Sequence, residues 1–201
     1  IGIKKYDILA KFDYHLVLNP DVSFNQEVLT ELINYLDANL DVGAIMPRIT
    51  NFDGSLQFAR RLLPAPIDII MKRLCPMSAV ARRYEIKDME PQSPVEIGGL
   101  CGCFMLMRCS ELIKSGLFDE RYFMYFEDFD LARRISMSSK VIYFPGVSAR
   151  HGANREHKRS FRISFYLISS AIKYYIKWGY YDAERLKINA KAIKQIEDSI
   201  V

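Results

Sequence analysis

The chain has 201 residues, half of them hydrophobic and 26% charged, which suits one globular domain with or without an appendage and excludes wholesale disorder. Its 28 basic and 24 acidic residues leave a formal charge of +4, too small an excess to argue for nucleic acid as a partner. The longest apolar stretches fall well short of the roughly 20 residues a spanning helix needs, and no charged-then-apolar leader follows Ile1, so secretion is not supported and a cytoplasmic location is expected.

Residues 12–18, FDYHLVL, read as a strand whose continuous apolar run Leu16–Leu18 fits burial on both faces. Pro20 ends it, and Ser23 or Asn25 is placed to cap a helix with Val28, Leu29, Leu32, Ile33 and Leu36 at helical spacing. Val42–Met46 reads as a short strand stopped by Pro47. Residues 50–95 read as irregular, because Pro64, Pro66, Pro76, Pro91 and Pro94 disfavour a long helix. A connection of that length is usually functional or mobile.

The segment EIGGLCGCFMLM ends in a buried strand. Ser110 is placed to cap a short helix, Glu111–Ser115, which Gly116 stops. A further helix runs from about Asp128 to Met137, a strand from Val141 to Phe144 ends at Pro145-Gly146, and two helices span about 160–178 and 183–197. Strands alternating with helices predict an α/β domain. Cys75, Cys101, Cys103 and Cys109 match neither a zinc knuckle nor a disulfide framework, so Cys101 and Cys103 read as reduced core thiols.

Three clusters carry candidate chemistry. Asp21 falls just past a buried strand, at the edge where open α/β sheets bind ligands. Beside Asn19 it is suited to a hard divalent ion bridging phosphates, although Asn-Pro-Asp is also ordinary turn chemistry. Glu127, Asp128 and Asp130 crowd a helix start among Tyr122, Phe123, Tyr125, Phe126 and Phe129. Aromatic surroundings desolvate a carboxylate and suit it to general-base work, while the helix dipole alone explains one or two acids there. His151 follows a strand and precedes a basic stretch with Arg155, Lys158 and Arg159. It reads either as a metal ligand or as a solvated loop residue, and the basic stretch as a cover for a diphosphate or as a solvated loop. Gly98, Gly99 and Gly102 match neither phosphate-loop fingerprint and imply close approach to a ligand or to other backbone.

In this order the stretches DYHLVLNPDV, GGLCGCFMLMR, GLFDERYFMYFEDFDLARRI, FPGVSARHGANR and SAIKYYIKWGYY resemble the family 2 glycosyltransferases, and among them the bacterial rhamnosyltransferase-like proteins. The resemblance implies a GT-A fold: an α/β domain with a Rossmann-like mixed sheet flanked by helices. A partial catalytic domain over 1–159 would be followed by a C-terminal helical appendage over 160–201. Family members hold the nucleoside on a strand and loop ahead of Asn19. The residues present there do not supply them, so the first nucleotide-binding unit is expected to be missing.

The resemblance also assigns roles. Asp21 becomes the metal-binding acid of a DxD-type motif with Asn19 in its first place, His151 completes the site for manganese or magnesium, and Arg155 and Lys158 join them at the nucleotide. Asp128 becomes the general base, with Glu127 and Asp130 as supporting acids. Gly98, Gly99, Leu100, Cys101 and Gly102 line the acceptor pocket. The implied activity is inverting transfer from a nucleotide-sugar donor, for which dTDP-rhamnose is the subfamily's suggestion, to a glycan or lipid-linked acceptor of cell-surface polysaccharide synthesis. A non-catalytic binding remnant and another metal-dependent enzyme, such as a phosphoesterase, are the alternatives. The stripe Phe161, Phe165, Ile168, Ile172, Tyr175 and Ile176, with Arg162, Lys173 and Lys177, fits either core packing or peripheral attachment at the inner face of the cell membrane.

Overall fold

The computed structural model describes residues 6–152 and 161–200. After a short helix α1 (Tyr6–Leu9), strand β1 (Tyr14–Leu18) leads through β2 (Val22–Ser23) into helix α2 (Gln26–Ala38) and strand β3 (Val42–Thr50). Helices α3 (Pro66–Leu74) and α4 (Ala79–Tyr84) precede β4 (Val95–Glu96), β5 (Phe104–Arg108) and α5 (Cys109–Lys114). Helix α6 (Glu127–Ser136), the long strand β6 (Lys140–His151), and helices α7 (Phe161–Trp178) and α8 (Ala183–Ile200) follow. The strands form one mixed sheet in the order β1-β5-β3-β6-β2, with β4 also on β6. This is the mixed-sheet α/β architecture that the sequence predicts.

The pairing explains which end of the sheet matters. β5 runs antiparallel to both β1 and β3, whereas β3 and β6 are parallel. The carboxyl ends of β1, β3 and β6 therefore share one edge, the edge at which such sheets bind ligands. Val42–Pro47 of β3 is buried without interruption, as expected of a strand covered on both faces. Val28, Leu32 and Leu36 of α2 supply part of that cover.

Of the three proline stops predicted from the sequence, the one at Pro20 holds and those at Pro47 and Pro145 are overturned. β3 continues through Pro47, and β6 through Pro145-Gly146. The reason is a shared irregularity. Pro47 pairs with Phe144, but its neighbour Arg48 pairs with Ser148, so the register jumps between them. Residues 145–147 bulge out where a ladder hydrogen bond would otherwise be demanded of a proline. The region 50–95 also holds more structure than its prolines suggest. Pro66 occupies the first turn of α3, where its missing N–H costs nothing, and the Ser78 hydroxyl caps α4 by accepting from the Ala81 N–H at 3.3 Å. Helix α5 starts one residue before the proposed cap Ser110, with Arg108 at the cap position.

The two C-terminal helices are tied to the sheet domain by buried polar side chains. Asn189 of α8 accepts from the Leu63 N–H at 2.8 Å and donates to the Leu63 carbonyl at 2.9 Å, satisfying a backbone pair in the core. The Gln195 side chain likewise accepts from the Glu96 N–H at 2.8 Å. Helix α7 is held through Asp130, which is fully buried. The Asp130 carboxylate accepts from Arg134 Nε at 2.9 Å and Trp178 Nε1 at 2.8 Å, and pairs with Lys177 at 2.7 Å. Replacing Asp130 with Ala leaves Lys177 without this buried partner, and breaking such a cluster from one side typically costs about 3–5 kcal/mol. We expect a loss of that order in urea denaturation of Asp130→Ala; a change below about 1 kcal/mol would mean that the cluster is incidental to the α6–α7 contact.

Candidate functional site

The site begins where β1 and β6 end. Val22 and Ser23 of β2 pair with His151 and Arg150 of β6, and the Gly152 N–H donates to the Asp21 carbonyl at 3.0 Å. These contacts carry Asp21 to His151, 130 residues apart in sequence, with His151 Nε2 lying 3.3 Å from Asp21 Oδ1 and 3.3 Å from Asn19 Nδ2. Asn19, Asp21 and His151 are therefore brought together.

The hydrogen-bond network fixes the protonation pattern of His151. Gln57 Nε2 donates to the His151 carbonyl at 2.6 Å and to Asn51 Oδ1 at 2.7 Å. This leaves Gln57 Oε1 as the atom 3.0 Å from His151 Nδ1, so Nδ1 carries the proton and donates. With Nδ1 turned to Gln57, Nε2 faces both the Asn19 amide and the Asp21 carboxylate. Two electron-rich atoms facing each other, with the ring oriented from behind by an amide, form an arrangement that takes a cation between them. Asp21 is partly open to solvent, so further positions remain for phosphate oxygens or water. Among the described residues no group of three or more His, Cys, Asp or Glu is placed to hold a metal ion.

The acidic cluster lies across a short turn from this pair. Asp128 Oδ2 accepts from the Gly102 N–H at 2.9 Å, while Oδ1 accepts from the Phe129 N–H of its own helix at 2.8 Å. Burial, and then the charge of neighbouring Glu127, push the Asp128 carboxyl up to about 7, against the opposing pull of the Gly102 N–H and Arg61. Burial also raises the Glu127 pKa, and its Oε2 is buried with no hydrogen-bond partner. An unsatisfied buried carboxylate oxygen beside a base is where an incoming hydroxyl would be accepted. Asp130 points elsewhere: all its charge is spent on Arg134, Lys177 and Trp178, so its support for Asp128 goes through the docking of α6 on α7.

The backbone leading into this cluster is strained. Tyr125 and Phe126 have φ of 68° and 67°, a left-handed conformation that costs a non-glycine residue about 1–2 kcal/mol. It is held by α7. The Ser170 hydroxyl donates to the Met124 carbonyl at 2.7 Å, Lys173 donates to the Arg121 carbonyl at 2.7 Å, and the Phe126 ring packs on Tyr174 and Tyr175.

The residues expected to line the acceptor pocket divide in two. Gly98, Gly99 and Leu100 are buried. A β-carbon at Gly98 would fall 2.7 Å from Leu63, and one at Gly99 would fall 2.6 Å from Phe129. These two glycines admit neighbouring side chains of the core, and the close approach inferred from the sequence is to the protein itself. Cys101 and Gly102 are half-buried at the cleft, with Asp128 next to Gly102. The Cys103 thiol donates to Cys101, and this bond, with Arg61 and His151 nearby, holds the Cys101 pKa well below the usual thiol value. Arg155 and Lys158 lie outside the described residues.

Two residues of the site escaped the sequence reading. Gln57 orients His151 across 94 positions. Arg61 is carried to the acids by its bridge to Gly99. Both lie in the stretch read as irregular, where no periodicity marks them.

No family model matches the chain. It is 31% identical over 144 residues to an N-acetylglucosaminyl-diphospho-decaprenol L-rhamnosyltransferase of Mycobacterium tuberculosis, covering 69% of this chain and 47% of that protein. It is 28% identical over 158 residues to the rhamnosyltransferase WbbL of Escherichia coli K12, covering 78% of this chain and 58% of that protein. The chain is a homologue of these rhamnosyltransferases. It spans about half the length of the curated relatives it matches.

The folded-state pKa of Asp128, about 7, exceeds the ~3.9 of an unfolded aspartate, so the folded chain favours the protonated acid. The stability contributed by that proton is complete below the unfolded value and is lost as pH rises to 7. We expect urea denaturation to show wild-type stability falling more steeply between about pH 4 and 7 than that of Asp128→Asn. Parallel curves would mean that Asp128 ionises as freely in the folded as in the unfolded chain.

Proposed function

We propose that the chain is the acceptor-side catalytic unit of an inverting, metal-dependent glycosyltransferase. It moves a sugar, with rhamnose from dTDP-rhamnose as the first candidate, onto a glycan or lipid-linked acceptor in cell-surface polysaccharide synthesis. The observation that carries this reading is the placement of Asp128: a buried carboxylate pushed up to about 7, hydrogen-bonded to the Gly102 N–H across the turn from Asp21 and His151. The rhamnosyltransferase relatives support the donor class. The decaprenol-linked substrate in the name of one of them supports a lipid-linked acceptor and a peripheral position at the inner face of the membrane.

The chemistry follows from the two sides of the turn. Asp21 and His151 would hold manganese or magnesium, with Asn19 beside them; when bound, the ion supplies positive charge for the diphosphate leaving group. The acceptor hydroxyl, held by Asp128 and the free Glu127 oxygen, gives its proton to Asp128 as its oxygen bonds to the anomeric carbon. The bond from that carbon to the diphosphate breaks, and its electron pair leaves on the phosphate oxygen. A base and a leaving group on opposite faces of the sugar invert the anomeric centre in one displacement. A carboxylate of pKa about 7 is ionised often enough near neutrality to act, while still driving proton transfer.

Two measurements test this. Asp128→Asn should reduce transfer by at least the roughly 10²–10⁴-fold typical of losing a general base, and leave nucleotide and metal binding close to wild type; near-normal turnover would overturn the base. In isothermal titration with a panel of nucleotide sugars and manganese, Asp21→Ala should abolish the metal-dependent part of binding. Unchanged metal-dependent binding in that variant would return Asp21 to a turn residue, and no binding in the wild type would favour the non-catalytic remnant.

A further inference from the structure

The stripe on α7 does not pack into the core. Phe161, Phe165, Ile168, Ile172 and Ile176 are 49–90% exposed, while Ser170, Tyr174 and Tyr175 make up the helix's buried side. Tyr175 thus leaves the stripe predicted from the sequence, and the other five form one outward row about 22 Å long at 1.5 Å per residue. Helix α3 behaves in the same way. It buries no residue, and Ile67, Ile70 and Leu74, with Met77 one turn beyond, are 50–72% exposed along one face. Phe123, 71% exposed, packs on Tyr166 of α7.

These surfaces are joined. Arg73 of α3 donates to the Ser164 hydroxyl of α7 at 2.7 Å, and the Phe123 and Tyr166 rings lie 4.7 Å apart. An exposed apolar surface of this extent is uncommon on a soluble domain and marks an interaction site.

We propose that α3, α7 and Phe123 form a membrane-docking face that rests on an anionic lipid bilayer and holds the acceptor cleft at its surface. The proposal deepens, and rests on, the reading of the chain as a transferase acting on a lipid-linked acceptor.

Charge selects the occupant. Helix α7 carries Arg162, Lys173 and Lys177 and no acidic residue along its 18 positions. Lys177 is used internally on Asp119 and Asp130, but Arg162 and Lys173 are exposed beside the apolar row. Arg73 adds a cation at the end of α3, whereas Lys72 beside it is spent on Glu85 at 2.8 Å. A convex helix with a large aliphatic and aromatic row edged by cations is the pattern of an interfacial helix, whose apolar side enters the headgroup boundary while the cations meet lipid phosphates. No helix among the described residues is long and apolar enough to cross a membrane, so the contact is in the plane of the surface.

The location of the face gives the docking a purpose. The Ser170 hydroxyl of α7 donates to the Met124 carbonyl at 2.7 Å, three residues before Glu127, so the helix that carries the apolar row and the acids adjoin. An acceptor anchored in the bilayer by its lipid would present its sugar hydroxyl at the height of Asp128 without leaving the membrane. Its phosphates would meet the cations at the rim.

The test is flotation of the chain with vesicles of phosphatidylglycerol and phosphatidylethanolamine, or of phosphatidylcholine alone, at low and high salt. Light scattering of the protein without lipid is run in parallel. We expect the wild type to float with the anionic vesicles at low salt, and flotation to weaken with salt and on neutral vesicles. The pairs Phe165→Ser/Ile172→Ser and Ile70→Ser/Leu74→Ser should each reduce partitioning at least tenfold while keeping the wild-type circular dichroism, since both pairs are exposed. Wild-type protein remaining at the bottom of the gradient, partitioning indifferent to both pairs, or a dimer that the same substitutions dissociate would overturn the proposal. Metal-dependent nucleotide binding by the variants separates the two readings. If it is absent throughout while flotation still depends on these residues, the transferase reading fails and the docking face stands.

Discussion

The candidate site depends on one turn, Gly102–Cys103, at the start of β5. Its backbone is hydrogen-bonded in two directions. The Asn19 N–H donates to the Cys103 carbonyl at 3.0 Å, and the Gly102 N–H donates to Asp128 Oδ2 at 2.9 Å. The first bond fixes the loop that carries Asp21 at the end of β1, and the second fixes the carboxylate at the start of α6. The two groups that the proposed transfer needs on either side of a sugar are thus set by backbone groups a single residue apart, on an edge of the sheet rather than on a free loop.

Holding Asp128 there is costly, and the rest of the domain supplies what opposes the cost. A carboxylate kept close to neutral by burial is destabilising once charged, and the residues before it sit in left-handed backbone. Against this, Asp130 two positions later anchors α6 to α7 through Lys177 and Trp178, and α7 grips the strained segment from its other side. The acids of the EDFD run thus divide their work. Asp128 and Glu127 remain incompletely satisfied at the cleft, and Asp130 is saturated in the core. Strain and unsatisfied polarity at a site, balanced by saturation just behind it, are what a functional site is expected to display.

The sequence made the α/β class legible because β1, α2, β5 and α8 carry clean apolar patterns. Asp21, His151 and Asp128 were singled out by their places at strand and helix ends together with the family resemblance, although each also had an ordinary structural reading. What failed was punctuation. Pro47 and Pro145 read as stops, yet one bulge between β3 and β6 absorbs both, and pairing across 98 positions leaves no local trace. Gln57 and Arg61 were invisible for the same reason: their roles are created by tertiary contacts to His151 and Gly99. Gly98 and Gly99 were correctly read as points of close approach, but the approaching groups are Leu63 and Phe129. The α7 stripe shows the limit of periodicity, which marks an apolar face without saying whether protein or lipid covers it.

The proposed transfer requires the turn to hold a cation and diphosphate on one side and a base on the other. The most direct measurement is anomalous diffraction from crystals of the chain grown with manganese and a nucleoside diphosphate. The account predicts a manganese peak in contact with both Asp21 and His151, with diphosphate oxygens completing its shell and Asp128 facing it across Gly102. A peak elsewhere, or diphosphate bound away from this pair, would contradict it.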